Sequence, residues 1–220
     1  GGTLTFANVF QEEDALSVGS SVALPSTLTG TRVRTRGQGR NLSQDTIASN
    51  SGNVSLPLRS RLGVAYKPNA TWIFTLDGLY EPWSSFSSTF NSSSQDAPFN
   101  GPFPDGGSDT VADRWRISGG GQVVPGANDP LSGFLSNTAY RIGAAMERLY
   151  VQPEGTRNLQ SYAITGGFSF PTSLSGTRID INLKAGTRGT TDASLVRDNY
   201  YGVAFHVNFG ERWFQRRKLR

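Results

Sequence analysis

His206 is the one histidine of this 220-residue chain, and cysteine is absent. Thiolate chemistry, disulfides and Cys-ligated or His-clustered metal sites are therefore excluded. A serine hydrolase needs a histidine base and an orienting acid beside its nucleophile. No Gly-x-Ser-x-Gly element accompanies His206, so no catalytic residue and no cofactor is expected. Glu12, Glu13 and Asp14 form an acidic run. Three adjacent carboxylates lack the ligand spacing of a calcium loop, and a solvated turn is the expectation, with no metal. The remaining chemistry belongs to arginine and to aromatic rings. Arg114, Arg116 and Arg141 carry guanidinium forks that match a carboxylate bidentately. Trp83 and Phe86 open a long segment that also holds Phe90, Phe99 and Phe103. These rings could capture a hydrophobic ligand, or they could pack the segment on itself.

The elements that must position these groups alternate with period two. Trp72, Phe74, Leu76, Gly78 and Tyr80 share one side of their segment, and Asp77 and Glu81 lie on the other. Ile179, Ile181, Leu183 and Ala185 alternate with Arg178, Asp180, Asn182 and Lys184. Tyr201, Val203, Phe205, Val207 and Phe209 alternate with residues that include His206. Successive strand side chains point to opposite faces, so each segment has an apolar and a polar side. The polar sides collect Arg59, Arg61, Lys67, Asp77, Glu81, Arg114, Arg116, Arg141, Glu147, Arg178, Asp180, Lys184 and Arg188. These charges could pair across an enclosed interior and hold it together. They could equally form a polar path, with Arg114, Arg116 or Arg141 anchoring a ligand carboxylate.

Nine strands are predicted, roughly 3–10, 15–24, 53–67, 70–82, 112–124, 137–150, 159–170, 177–188 and 199–209, with 30–36 prolonging the second past Pro25. Several exceed the five or six residues usual in soluble strands and reach the length a tilted strand needs to cross a bilayer. Aromatic residues gather near the ends of the apolar sides, as in interfacial girdles (Trp72, Tyr80, Trp115, Tyr140, Tyr150, Tyr162, Phe170, Tyr201 and Phe209). No stretch is long and apolar enough for a transmembrane helix. The connections 11–14, 67–70 and 171–176 are short, whereas 37–52, 83–111, 151–158 and 189–198 are long. That alternation fits periplasmic turns and external loops. The connection 125–136 breaks the pattern, lying on the short side without being short. The fold expected is all-β: an antiparallel transmembrane β-barrel spanning 1–209 in the cell outer membrane, with 83–111 as an external loop and 210–220 as a basic periplasmic tail. An odd number of strands with an inward first strand implies that at least one more strand is supplied upstream or by a partner. The chain opens at Gly1-Gly2 without a signal peptide, as a mature form, a fragment or a cytosolic protein would.

Charge adds little. Lys+Arg total 21 against Asp+Glu 17, a formal net charge of +4 with the charges scattered, so no nucleic-acid partner is expected. The tail from Arg212 to Arg220 suits lipid headgroups or a periplasmic partner.

Specific residues resemble a known family. Leu56-Pro57 precedes a strand ending Val64-Ala65-Tyr66, followed by Trp72-Ile73-Phe74, Asp77, Tyr80 and Trp83-Ser84-Ser85-Phe86. Tyr140-Arg141-Ile142-Gly143, Ile164–Pro171 and the ending Asn208–Phe214 continue the likeness. Over about 53–220 the chain resembles the long-chain fatty-acid transporters of the FadL/TodX type, in their Bacteroidetes-type branch. The resemblance implies the C-terminal part of a fourteen-strand barrel and passive uptake of hydrophobic compounds. The plug and lateral exit of that family match nothing in this chain. Some members serve as partners in secretion or assembly, so the alternative function is a scaffold or partner barrel in an outer-membrane assembly. The partners implied are membrane lipid or lipopolysaccharide, hydrophobic small molecules, and an outer-membrane or periplasmic protein. The ligand residues implied are Trp83, Phe86, Arg114, Arg116 and Arg141.

Overall fold

A computed structural model describes residues 1–36, 45–90, 111–129, 131–152, 158–172, 177–191 and 195–209. The tail 210–220, Phe99, Phe103 and most of the segment 83–111 lie outside the described residues.

Nine strands form one antiparallel sheet: β1 (Gly2–Ala7), β2 (Ala15–Ala23), β5 (Arg59–Lys67), β6 (Trp72–Glu81), β8 (Arg114–Val123), β9 (Ala139–Arg148), β10 (Gln160–Pro171), β11 (Arg178–Gly189) and β12 (Arg197–Asn208), side by side in that order. Apart from β5, each strand end falls within three residues of its expected place. A second sheet of three strands joins β3 (Ser26–Arg36), β4 (Asp45–Leu56) and β7 (Ser87–Ser88).

The second sheet prolongs the hairpin of β2 and β5 beyond a break. Pairing runs to Ala23–Arg59 and resumes at Ser26–Leu56. Between them Leu24-Pro25 faces Pro57-Leu58, and a proline on each strand removes the donors the ladder would need. The expected strand 53–67 is therefore two strands. Much of the expected connection 37–52 is strand as well, because β4 begins at Asp45. Gly30 and Gly52 are register partners. A Cβ on Gly52 would come within 2.9 Å of the Phe90 ring, so the missing side chain makes the slot that this buried ring fills. Phe90 therefore packs against this hairpin, the packing alternative for the rings of its segment.

The register aligns every strand's apolar side on one face. One cross-strand row runs Trp72, Val123, Tyr140, Phe168, Ile181 and Phe205. The opposite face carries the charged set. Among the described residues the buried apolar side chains are only Phe90, Ala112 and Ala139. Leu76, Ile142 and Phe205 are 58%, 75% and 69% exposed, so no second layer among the described residues covers the apolar face. The sheet is also open. Its edges are β1 and β12, which do not pair with each other, so these strands close no barrel by themselves; the expectation was of a barrel to which at least one further strand is supplied.

One end of the sheet carries the turns 8–14 and 68–71, together with the connections 124–138 and 172–177. The other carries the excursions 24–58, 82–113, 149–159 and 190–196, and 124–138 is the exception to the alternation of lengths, as expected. The first turn is organised by Asp14. Its carboxylate is 1% exposed and accepts the N–H groups of Val9, Phe10 and Gln11 at 2.6, 2.9 and 3.1 Å, plus the Tyr66 hydroxyl at 3.2 Å. Asn8 and Glu13 take positive φ to close the loop. The acidic run is therefore not a uniformly solvated turn, because Asp14 folds inward. Burial alone would raise its carboxyl. The bonds from Phe10, Val9, Gln11 and Tyr66 outweigh that and hold it below the ordinary aspartate range.

A depressed native pKa stabilises the fold above the unfolded value of about 3.9, and that contribution disappears as pH falls through the native value. Unfolding midpoints of the protein in detergent, measured from pH 6 to about pH 2, should drop in the acid range. Asp14→Asn should lower the midpoint at pH 6 and flatten that acid decline.

Candidate functional site

The charged face has its densest chemistry at the end bearing the long excursions. Glu81, at the last position of β6, pairs in register with Arg114 at the first position of β8. Arg59 opens β5 beside them. Glu81 is 2% exposed. One carboxylate oxygen accepts the Arg59 Nε–H. The other accepts Arg114 Nη1 at 3.1 Å and the Trp83 indole N–H at 3.0 Å. Arg114 continues to Glu147 on β9, with Nε at 2.8 Å and Nη2 at 2.7 Å from one oxygen. Two carboxylates and two guanidiniums thus bind four neighbouring strands, and each buried charge has an opposite partner.

An aromatic cluster caps this network. After Pro82 the chain makes one 3-10 turn, Trp83–Ser85. The Trp83 ring stacks on Tyr150 with centroids 4.4 Å apart and leans on Phe86 at 5.9 Å. Asp113 pins the turn by accepting the Ser84 N–H and the Tyr80 hydroxyl, each at 2.9 Å. The Ser84 hydroxyl and backbone N–H hold the Asp113 carboxyl below its ordinary range.

Of the five expected ligand residues, Trp83, Phe86 and Arg114 come together here. Arg116 lies on the next row of the same face and has no ion pair among the described residues. Arg141 lies near the opposite end. Its Nε donates to Gln122 at 2.7 Å, and Nη1 is 3.9 Å from Asp180. A groove of about 680 Å³ runs along the charged face past Arg61, Asp77 and Arg116. A second of about 720 Å³ is lined from β6 to β12. His206 sits on that face as its strand phase required, with Nδ1 3.3 Å from the Asn182 amide. Among the described residues no cluster of His, Asp and Glu could hold a metal ion.

Sequence reasoning placed Glu81 on the correct face but missed its position at the hub. The available signal was the order Glu81-Pro82-Trp83: a carboxylate at a strand end, then a forced turn that folds an indole donor back onto it. Asp113 and Asp14 were missed as organisers because each acts on backbone N–H groups, which leave no trace in residue type.

These features define a class: an antiparallel, all-β protein whose main sheet is apolar on one face and charged on the other. The BamG family model matches residues 4–220, and the chain belongs to the BamG family. No curated protein matches it. BamG is a different family from the FadL/TodX transporters, so the resemblance to those proteins is overturned. The quoted motifs have general causes. Leu56-Pro57 marks the break between β4 and β5. Trp72, Phe74, Tyr80 and Tyr140 lie toward strand ends on the apolar face, where many two-faced strands carry rings.

Glu81→Ala should cost about 2–3 kcal/mol, because it strips two guanidiniums and an indole N–H of their acceptor. Arg61→Ala, on the same face without an ion partner among the described residues, should stay within roughly 0.5 kcal/mol of wild type. Urea unfolding in detergent, followed by tryptophan fluorescence, separates the two.

Proposed function

We propose that this chain is a membrane-seated component of the machinery that assembles outer-membrane proteins, and that its strands form part of a barrel wall. The observation that carries the reading is the BamG match over nearly the whole chain, whose name belongs to that assembly system. The two-faced sheet supports the location. Apart from β1, its strands are 9–12 residues long, about what a tilted outer-membrane strand requires. Their apolar face suits lipid or lipopolysaccharide.

Strand direction supports a composite wall. Alternation through nine antiparallel neighbours leaves β1 and β12 running the same way. Joining them directly would make a parallel pair. Closing the wall with antiparallel pairs throughout takes an odd number of further strands, from sequence beyond this chain or from a partner. Unpaired backbone groups at an edge in lipid cost several kcal/mol each, which favours such closure.

The Glu81 network serves as a brace in this reading. Arg114 is fully engaged by two carboxylates, which speaks against a role as ligand anchor. Among the described residues Arg116 makes no ion pair, and it is the arginine of the expected set open to an acidic group on the groove. Trp83 and Phe86 hold the rim rather than a small hydrophobic ligand.

Depletion of the protein in cells separates assembly from uptake. The heat-modifiable, folded fraction of several unrelated outer-membrane barrels should fall together. Unchanged folding of those barrels, with only the uptake of hydrophobic compounds lost, would overturn the proposal.

A further inference from the structure

The connection 124–138 is long for the end on which it sits, and it is tightly built. Gly126 N–H bonds the Ser136 carbonyl at 2.7 Å, and Asn137 Nδ2 bonds the Ser132 carbonyl at 2.8 Å. Thr138 is fully buried and donates its hydroxyl to the Phe134 carbonyl at 2.9 Å. The Tyr140 hydroxyl reaches the Leu135 carbonyl at 3.0 Å. Yet this ordered loop presents Leu131 at 94%, Leu135 at 66% and Phe134 at 57% exposure. The β1–β2 turn at the same end does likewise. Asp14 locks its backbone while Phe10 stays 69% exposed. A solvated turn would place polar residues there. Fixed loops that hold apolar side chains outward are shaped for something apolar.

We infer that these two loops form a foot that seats in the headgroup boundary of the phospholipid leaflet beneath the apolar face. The inference rests on the lipid-facing reading of the sheet. Two observations favour lipid as the occupant. Both loops lean on rings of the apolar face: Phe10 packs edge-on against Tyr66 at 5.6 Å, and Phe134 stacks on Phe170 at 5.7 Å. The foot is therefore a continuation of that face. The chain beyond Phe209 also leaves from this end, and its last nine residues carry Arg212, Arg216, Arg217, Lys218 and Arg220. Cations in a segment tethered at this end by Phe209 suit the anionic phosphates above acyl chains. Glu12, Glu13 and Asp129 on the same loops set the depth, because carboxylates keep the tips at headgroup level.

The chain has no cysteine, so Leu131→Cys, Phe10→Cys, Ile164→Cys and Val196→Cys each offer one thiol for a bimane probe. The full chain is purified from outer membranes with whatever stays bound. It is then placed in vesicles of phosphatidylethanolamine and phosphatidylglycerol. Ile164, in the middle of the apolar face, should be quenched by lipids brominated near the acyl ends. The probes at 131 and 10 should lose most of their fluorescence to lipids brominated near the ester. Val196, exposed at the opposite end, should respond to aqueous iodide alone. Lipid quenching at 164 with iodide quenching at 131 and 10 overturns the foot and leaves the lipid-facing sheet standing. Shielding of 131 and 10 from both quenchers also overturns it, because a protein then occupies the surface. No lipid quenching at 164 removes the lipid-facing reading, and the inference with it.

Discussion

An apolar face nine strands wide, left largely uncovered by the described residues, is the constraint from which the other features follow. Covering one side chain such as Phe205 or Ile142 is worth about 1.5–3 kcal/mol. Over the whole face, leaving it in water would cost on the order of tens of kcal/mol, more than a domain of this size can carry. The proposed reading therefore places this face in apolar surroundings. Once it lies there, the opposite face has to take the charges, and those charges have to neutralise one another or remain wet.

That requirement explains the Glu81 network. Its carboxylate is enclosed by Arg59, Arg114 and the Trp83 indole. A hydrophobic core would ordinarily register the strands of a domain. This sheet has almost none among its described residues, so cross-strand ion pairs and aromatic stacking at the strand ends do more of that work. The brace on β5, β6, β8 and β9 and the Asp14 turn joining β1 to β2 sit at opposite ends. Between them the middle of the sheet is lined with glycine and small polar side chains. The sheet stops at β1 and β12, whose edges are open among the described strands, and the proposed wall is one that other strands continue.

Much of this was legible in the residues. Period-two alternation located all nine sheet strands and assigned His206, Arg116 and Lys184 to their face, because strand geometry leaves no freedom in that choice. The paired prolines at Pro25 and Pro57 were visible. The prolongation past Pro25 was expected over 30–36 and is β3; the reach of β4 back to Asp45 was not, since a Ser-, Thr- and Asn-rich strand has the composition of a loop. The family was misread from short aromatic motifs that any membrane-seated strand tends to carry. The hub role of Glu81 and the inward Asp14 depended on three-dimensional neighbours. The foot was foreshadowed only by a connection too long for its end.

Cysteine accessibility along β12 in native outer membranes tests the central claim most directly. Single cysteines are placed at 201 through 207 and challenged with a membrane-impermeant maleimide after the membranes are opened. The account predicts a period of two: positions 201, 203, 205 and 207 protected, and 202, 204 and 206 labelled. Uniform labelling, or labelling of the odd positions instead, would contradict it.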